Sequence, residues 1–241
     1  MYSTIDDYSY FSVRKEHFSA PYTILIKFPS RSRPEKLVSM FREYISKANN
    51  SSDIKVLFSL DHDDSTVTPE LCSTLKSIHS RVDIRIGTST SKINAVNRDM
   101  EHAGDYDILL LASDDMKPVE QGYDDIIRTQ MKTHAPNLDG VLWFNDGFQG
   151  RNLNTLCILG KPYYDRFGYI YHPSYKSFFC DNEFMEVADR LQKQFYFHQM
   201  IIQHLHPDVI HSGMDELYRK NSDHFQQDQN LYHERKRNNF P

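Results

Sequence analysis

Several absences bound this chain before any motif does. Its 241 residues hold three cysteines, Cys72, Cys157 and Cys180, with no CxxC pair and no zinc spacing. They suit a reducing compartment and the role of small buried residues. Charge of one sign is lacking too: the net charge is -5, which gives no global pull toward nucleic acid or an anionic membrane. No apolar run approaches the roughly 20 residues a membrane helix needs. The N-terminus lacks the basic start and apolar core of a signal peptide. The expectation is therefore a soluble, cytoplasmic protein with no integral membrane segment and no nucleic-acid partner; peripheral attachment stays open. There is no linker-like stretch and no internal repeat, which points to one continuous domain. Tryptophan occurs once, against 15 Tyr and 15 Phe, and the 39 % hydrophobic and 25 % charged content is ordinary for a globular chain.

What is present begins with Tyr106-Asp107-Ile108-Leu109-Leu110-Leu111-Ala112-Ser113-Asp114-Asp115-Met116. An unbroken apolar run of this length reads as a strand buried on both faces. Such strands belong to parallel sheets, whose ligands sit beyond the carboxyl ends of the strands. Asp114 and Asp115 then stand at the mouth of that crevice, where hard oxygen ligands hold Mg²⁺ or Mn²⁺ together with substrate phosphates. The structural alternative is a solvated turn.

The flanking pattern supports the parallel sheet. Strands are predicted over 22–28, 54–60, 82–86 and 107–112. Helices are predicted over 34–48, 69–79, 91–100 and 122–132. Strand and helix thus alternate through the first 135 residues. Pro34 suits a first helical turn. The second half reads differently: strands over 140–144 and 153–159, a helical turn over 162–167, a helix over 181–191 and an apolar strand over 195–205. Residues 1–21 read as an arm and 221–241 as a polar C-terminal tail.

Five clusters carry chemistry. Lys27-Phe28-Pro29-Ser30-Arg31-Ser32-Arg33-Pro34 offers arginine forks and a following helix start to phosphate oxygens, without the glycines of a Walker loop or dinucleotide fingerprint. Asp61 and Asp63 follow the second strand, where an acid accepts hydrogen bonds from a base or a ribose. Lys92, Asn97 and Arg98 are polar groups on a helix that packs Ile93 and Val96. Asp181 and Glu183 head a later helix, where the helix dipole favours acids on structural grounds alone. The functional reading there is a general base. His204 and His206 lie two apart after an apolar run and share a face if the run is a strand. One of them completes a metal site begun by Asp115.

In their order these pieces resemble the GT-A-type glycosyltransferases, especially the family-2-like inverting ones. The resemblance covers residues 22–220. It implies an α/β, Rossmann-like single domain with a mostly parallel central sheet flanked by helices. The nucleotide-binding half is 22–138 and the acceptor half 139–220. It implies that Pro29, Ser30, Arg31, Arg33, Asp61, Asp63, Lys92, Asn97 and Asp114 contact the nucleotide sugar, with Lys92 to Asn97 standing for the family's Lys/Arg-x-x-Ala-x-Asn segment. Ser113-Asp114-Asp115 takes the place of the Asp-x-Asp metal motif, with Ser113 where the family has its first acid. Asp115 with His204 or His206 then holds Mn²⁺ or Mg²⁺, and Asp181 is the catalytic base. Trp143, Asn145 and Asp146 fall where the acceptor half begins and suit a sugar ring. The Gln-x-x-Arg-Trp motif of processive synthases is absent, so a single sugar transfer is expected. A UDP-sugar is the favoured donor and a glycan or other hydroxyl the acceptor. The rival readings are a nucleotidyltransferase and a non-catalytic nucleotide- or glycan-binding protein.

Overall fold

The computed structural model describes residues 21–205 and 224–241. Four parallel strands come first: β1 (Ile24–Ser30), β2 (Ile54–Asp61), β3 (Val82–Gly87) and β4 (Ile108–Leu111). Helices α1 (Pro34–Ser46), α2 (Pro69–Ile78) and α3 (Lys92–Asn97) connect them, each entered through a readable signal. Pro34 and Pro69 open the first two helices. The side chains of Thr68 and Ser91 accept hydrogen bonds from Leu71 N and Asn94 N at the starts of α2 and α3. The chain continues through β5 (Met116–Pro118), α4 (Tyr123–His134), β6 (Val141–Phe144), β7 (Ile158–Gly160), α5 (Lys161–Asp165), α6 (Cys180–Arg190), β8 (Gln194–Phe197), β9 (Ile202–His204) and α7 (Phe225–Arg237).

Seven strands form the main sheet in the order β3-β2-β1-β4-β7-β6-β8. Only β7 runs antiparallel to both of its neighbours. Period-two alternation splits each central strand between two cores. Ile24, Ile26, Phe28, Val56, Phe58, Leu60, Ile108 and Leu110 face α1, α2 and α4. Leu25, Leu57 and Leu109 face α3, α5, α6 and α7. Helices therefore cover both faces, which is why these strands read as continuous apolar runs. Gly160 ends β7 where a Cβ would stand 1.8 Å from the Leu138 carbonyl oxygen, so no side chain fits there.

Two sequence expectations need correction. Of residues 153–159, only the end is strand. The run 195–205 is two strands rather than one: β8 stays in the main sheet, while β9 pairs with β5 in a separate antiparallel ribbon. The run is apolar throughout, and its composition does not show where the chain changes sheets. The described part of the C-terminal tail, 224–241, is mostly the helix α7. α7 docks on α6, with Tyr232 and Phe240 buried in the second core. Of the expected arm, Pro21 alone is among the described residues; the rest lies outside them, as does His206.

Candidate active site

The carboxyl ends of β1, β2, β4 and β6 lie along one edge of the sheet, and the polar clusters gather there. After β1 the chain turns through Arg31-Ser32-Arg33 into α1. Ser32 has φ 59°, and its amide donates to Asp64 Oδ2 at 2.6 Å. Arg31 bridges both acids that follow β2: Nη1 lies 2.9 Å from Asp61 Oδ2 and 2.7 Å from Asp63 Oδ1, and Nη2 donates to Asp63 Oδ2 at 2.9 Å. Hydrogen bonds from Arg31 bring the Asp63 carboxyl down to about 2. Asp61 is buried between Arg31 and Arg98, whose Nη2 also donates to Leu60 O at 2.7 Å. Pro29 and Ser30 form the last rungs of β1 beside Ser59 and Leu60. Arg33 Nη1 reaches across to Asp114 Oδ1 at 2.9 Å, tying the β1 turn to the β4 turn.

Asp114 and Asp115 occupy the tight turn between β4 and β5. Burial pushes the Asp114 carboxyl up, with Arg33 opposing. Burial also acts to raise Asp115, but His204, the Ser113 hydroxyl and Lys92 outweigh it and hold Asp115 below the usual range. The β5–β9 ribbon brings His204 to this turn, because His204 pairs with Met116 and Leu205 N donates to Asp115 O at 2.7 Å. His204 Nε2 lies 4.0 Å from Asp115 Oδ2, and Nδ1 lies 3.5 Å from Asp146 Oδ2.

Asp146 is buried behind His204. Its buried carboxylate accepts hydrogen bonds from the amides of Phe148, Gln149 and Gly150 at 2.8–3.0 Å and from Thr155 Oγ1 at 2.6 Å. Burial works against ionisation, yet His204, Thr155 and these amides hold the carboxyl well below the usual range. It folds the loop after β6 and lies behind His204. Trp143 is also core: it is 5 % exposed and packs edge-on against Tyr196 at 4.8 Å. Asn145, beside them, is partly exposed, and its side-chain oxygen accepts from Gly147 N.

On the α3 side, Lys92 is exposed at the helix start, and its charge acts on both Asp115 and Asp181. The Asn97 side chain holds the far loop through Ile170 N at 2.9 Å, Tyr171 N at 3.1 Å and Tyr171 O at 2.6 Å. Asp181 stands at the head of α6. Burial raises its carboxyl, with Lys92 and His204 opposing. Glu183, two residues on, is committed elsewhere: Arg235 grips both of its oxygens at 2.8 and 2.9 Å, and the Tyr175 hydroxyl donates at 2.8 Å. A small, half-open pocket of about 20 Å³ lined by Tyr163, Phe167, Tyr169, Cys180, Glu183 and Phe184 lies against α6 and includes none of the acids of the sheet edge.

Sequence reasoning gave Lys27 no role of its own. It is fully buried in β1, bonded to the Ser59 hydroxyl and to Arg98 O at 2.8 Å, and burial brings its ammonium down to about 7. Ser59 in turn donates to Asp99. The available signal was a lysine inside an apolar strand run, where a charge needs a built partner.

Among the described residues, no group of three or more His, Cys, Asp or Glu side chains is arranged to hold a metal. Asp115 and His204 could supply two ligands to a metal. That suits a divalent ion bound by one carboxylate plus substrate phosphates better than an all-protein cage. His204 has the expected backing, a carboxylate behind the nitrogen that does not face Asp115.

Seven mostly parallel strands flanked by helices form a fold that the chain shares with solved glycosyltransferases. No protein-family model and no curated protein sequence matches the chain. Solved structures do. The mannosyltransferase PcManGT from Pyrobaculum calidifontis, in complex with GDP-Man and Mn²⁺, superposes with a TM-score of 0.57 at 12 % identity over 77 % of this chain. S. aureus TarS 1-349 in complex with UDP gives 0.59 at 11 % identity over 78 % of it. The same protein with UDP-GlcNAc gives 0.58 at 12 % identity over 75 %. The chain spans 59 % of PcManGT and 62 % and 58 % of the two TarS structures. At this identity, the likeness is one of fold.

Proposed function

We propose that the chain is a metal-dependent glycosyltransferase that moves one sugar from a nucleoside diphosphate sugar to an acceptor hydroxyl, with inversion. The observation that carries the reading is the convergence of Asp115, His204, Lys92 and Asp181 at one sheet edge, each from a different segment of the chain. A UDP-sugar is the favoured donor, as in the TarS complexes, whereas PcManGT was solved with GDP-Man.

In this reading Asp61 and Asp63 face the nucleoside, and Ser30, Arg31 and Arg33 lie toward the diphosphate, with Pro29 shaping the end of β1. Asp115 and His204 would hold Mn²⁺ or Mg²⁺, whose charge would offset the negative charge of the departing nucleoside diphosphate. Asp114, anchored by Arg33, faces the ribose or the sugar. Lys92 adds positive charge between the donor and Asp181. Asp181 takes the proton from the acceptor hydroxyl as that oxygen bonds to the anomeric carbon and the bond to the diphosphate breaks. Asn145 is the polar group left at the start of the acceptor half; the acceptor is a glycan or another hydroxyl compound.

Incubation with a panel of nucleotide sugars and Mn²⁺ tests this. Release of the nucleoside diphosphate, slow with water and faster with acceptor, is the expected result. Pyrophosphate release from a nucleoside triphosphate would instead mark a nucleotidyltransferase. Binding without any turnover would mark a non-catalytic nucleotide- or glycan-binding protein.

A further inference from the structure

The segment Tyr175-Lys176-Ser177-Phe178-Phe179 leads directly into α6 and Asp181, and its conformation is imposed from α7. Asp228, in the first turn of α7, is fully buried. It accepts four hydrogen bonds from three consecutive amides: Lys176 N to both of its oxygens at 3.0 and 3.2 Å, and Ser177 N at 2.7 Å and Phe178 N at 2.8 Å to Oδ2. The next residue, Phe179, caps α6 with φ 60°, a left-handed conformation that a bulky side chain adopts only where its surroundings enforce it. Those surroundings are again α7: the Phe179 ring stacks on Tyr232 at 5.6 Å and meets Phe225 edge-on at 5.2 Å, and Phe178 meets Phe225 at 5.3 Å. Lys176 O also accepts from Ile93 N at 3.3 Å, next to Lys92. The held segment therefore touches the segments that carry both Asp181 and Lys92.

We propose that α7 is a clamp on the catalytic edge and that Asp228 is a positioning residue for Asp181. This rests on the reading of Asp181 as general base. Asp228 touches no reacting atom. It fixes the three amides ahead of a strained cap, and the cap fixes where the first turn of α6 aims Asp181. Loss of the clamp shifts the base while the donor-binding loops after β1, β2 and β4 stay in place.

The test uses the full chain with Asp228→Ala, Asp228→Asn and Phe225→Ala. Nucleotide-sugar turnover with Mn²⁺ is measured beside the Kd for the nucleoside diphosphate with Mn²⁺, and amide hydrogen exchange is followed by residue. Asp228→Ala should lower kcat by up to about 10²-fold, the effect of a base misplaced by about 1 Å. Its nucleotide Kd should be unchanged, with faster exchange confined to 176–179. Asp228→Asn keeps one acceptor oxygen for Ser177 and Phe178 and should recover part of the loss. If Asp228→Ala does not fold, Asp228→Asn and Phe225→Ala carry the same comparison. Wild-type kcat in the folded variants overturns the proposal, as does a parallel loss of kcat, nucleotide affinity and core protection, which is a plain stability defect. A wild-type chain that turns over no nucleotide sugar overturns the general-base reading and this proposal with it. An active wild type that is indifferent to Asp228 overturns the proposal alone.

Discussion

Two acids at the head of α6 show how surroundings divide labour between similar side chains. Glu183 is ionically paired with Arg235 and bonded to Tyr175. Asp181 is half-buried, desolvation raises its carboxyl, and Lys92 and His204 act on it through charge. As a general base, Asp181 must be ionised, so turnover falls as the pH drops through its pKa, which lies above the ordinary Asp value of about 3.9. Asp181→Asn is expected to lower kcat by about 10²- to 10⁴-fold with little change in nucleotide affinity, measured by steady-state kinetics and calorimetry. The same substitution has a stability signature. A folded-state pKa above the unfolded value means that the ionised form is the destabilised one in the fold. That penalty is fully present above the folded pKa and vanishes below the unfolded pKa. Asp181→Asn should therefore melt higher than wild type near pH 7 and lose that advantage below about pH 4. A helix-capping role alone predicts near-wild-type turnover, since Asn caps almost as well as Asp.

Among the elements, α4 shows where the fold is brittle. Asp124 is fully buried in its first turn, accepts from the amides of Asn49 and Asn50 at 2.9 and 3.0 Å, and pairs with Arg128 at 2.6 Å. Arg128 donates onward to Tyr22 O at 2.8 Å. Asp124→Ala removes the buried partner of Arg128, which keeps Asp125 at 3.2 Å, and leaves two amides without theirs; it is expected to cost about 3 kcal/mol in urea unfolding. A loss below about 1 kcal/mol would place this pair among the surface ion pairs. Neither the Asp124–Arg128 bridge nor the β5–β9 ribbon was legible in the sequence. An i,i+4 pair looks the same on a solvated face as in a core. The three residues Met116-Lys117-Pro118 are too few to carry a period. The α1, α2 and α3 starts were legible, because Pro at the first turn and Thr68 or Ser91 at the cap are local chemistry.

At the scale of the molecule, the functional edge is assembled from both halves of the chain. Nucleotide binding should therefore stabilise the whole fold. A nucleoside diphosphate with Mn²⁺, at about 100 times its Kd, adds about 2.7 kcal/mol, or about 5 to 10 °C in Tm for a domain of this size. Asp115→Ala should keep the unliganded Tm and lose the Mn²⁺-dependent part of that rise, read by thermal shift. An undiminished metal-dependent shift in this variant would remove Asp115 from the metal site. No helix among the described residues is long and apolar enough to cross a membrane.

The sequence by itself determined the alternation of strands and helices, the doubly covered parallel core and the position of Asp114 and Asp115 beyond β4. These follow from periodicity, apolar runs and capping residues, all local properties of the chain. It also placed Asp181 at a helix head. Tertiary structure alone decided which polar residues share the edge. It turned Asn97 toward the 170–171 loop, buried Trp143, and set Asp146 behind His204. It also brought His204 to Asp115 through a ribbon whose two strands lie far apart in the chain, and turned a polar C-terminus into the support of α6. A side chain's task depends on which donors and acceptors the fold sets beside it, and those partners come from distant segments that no local pattern encodes.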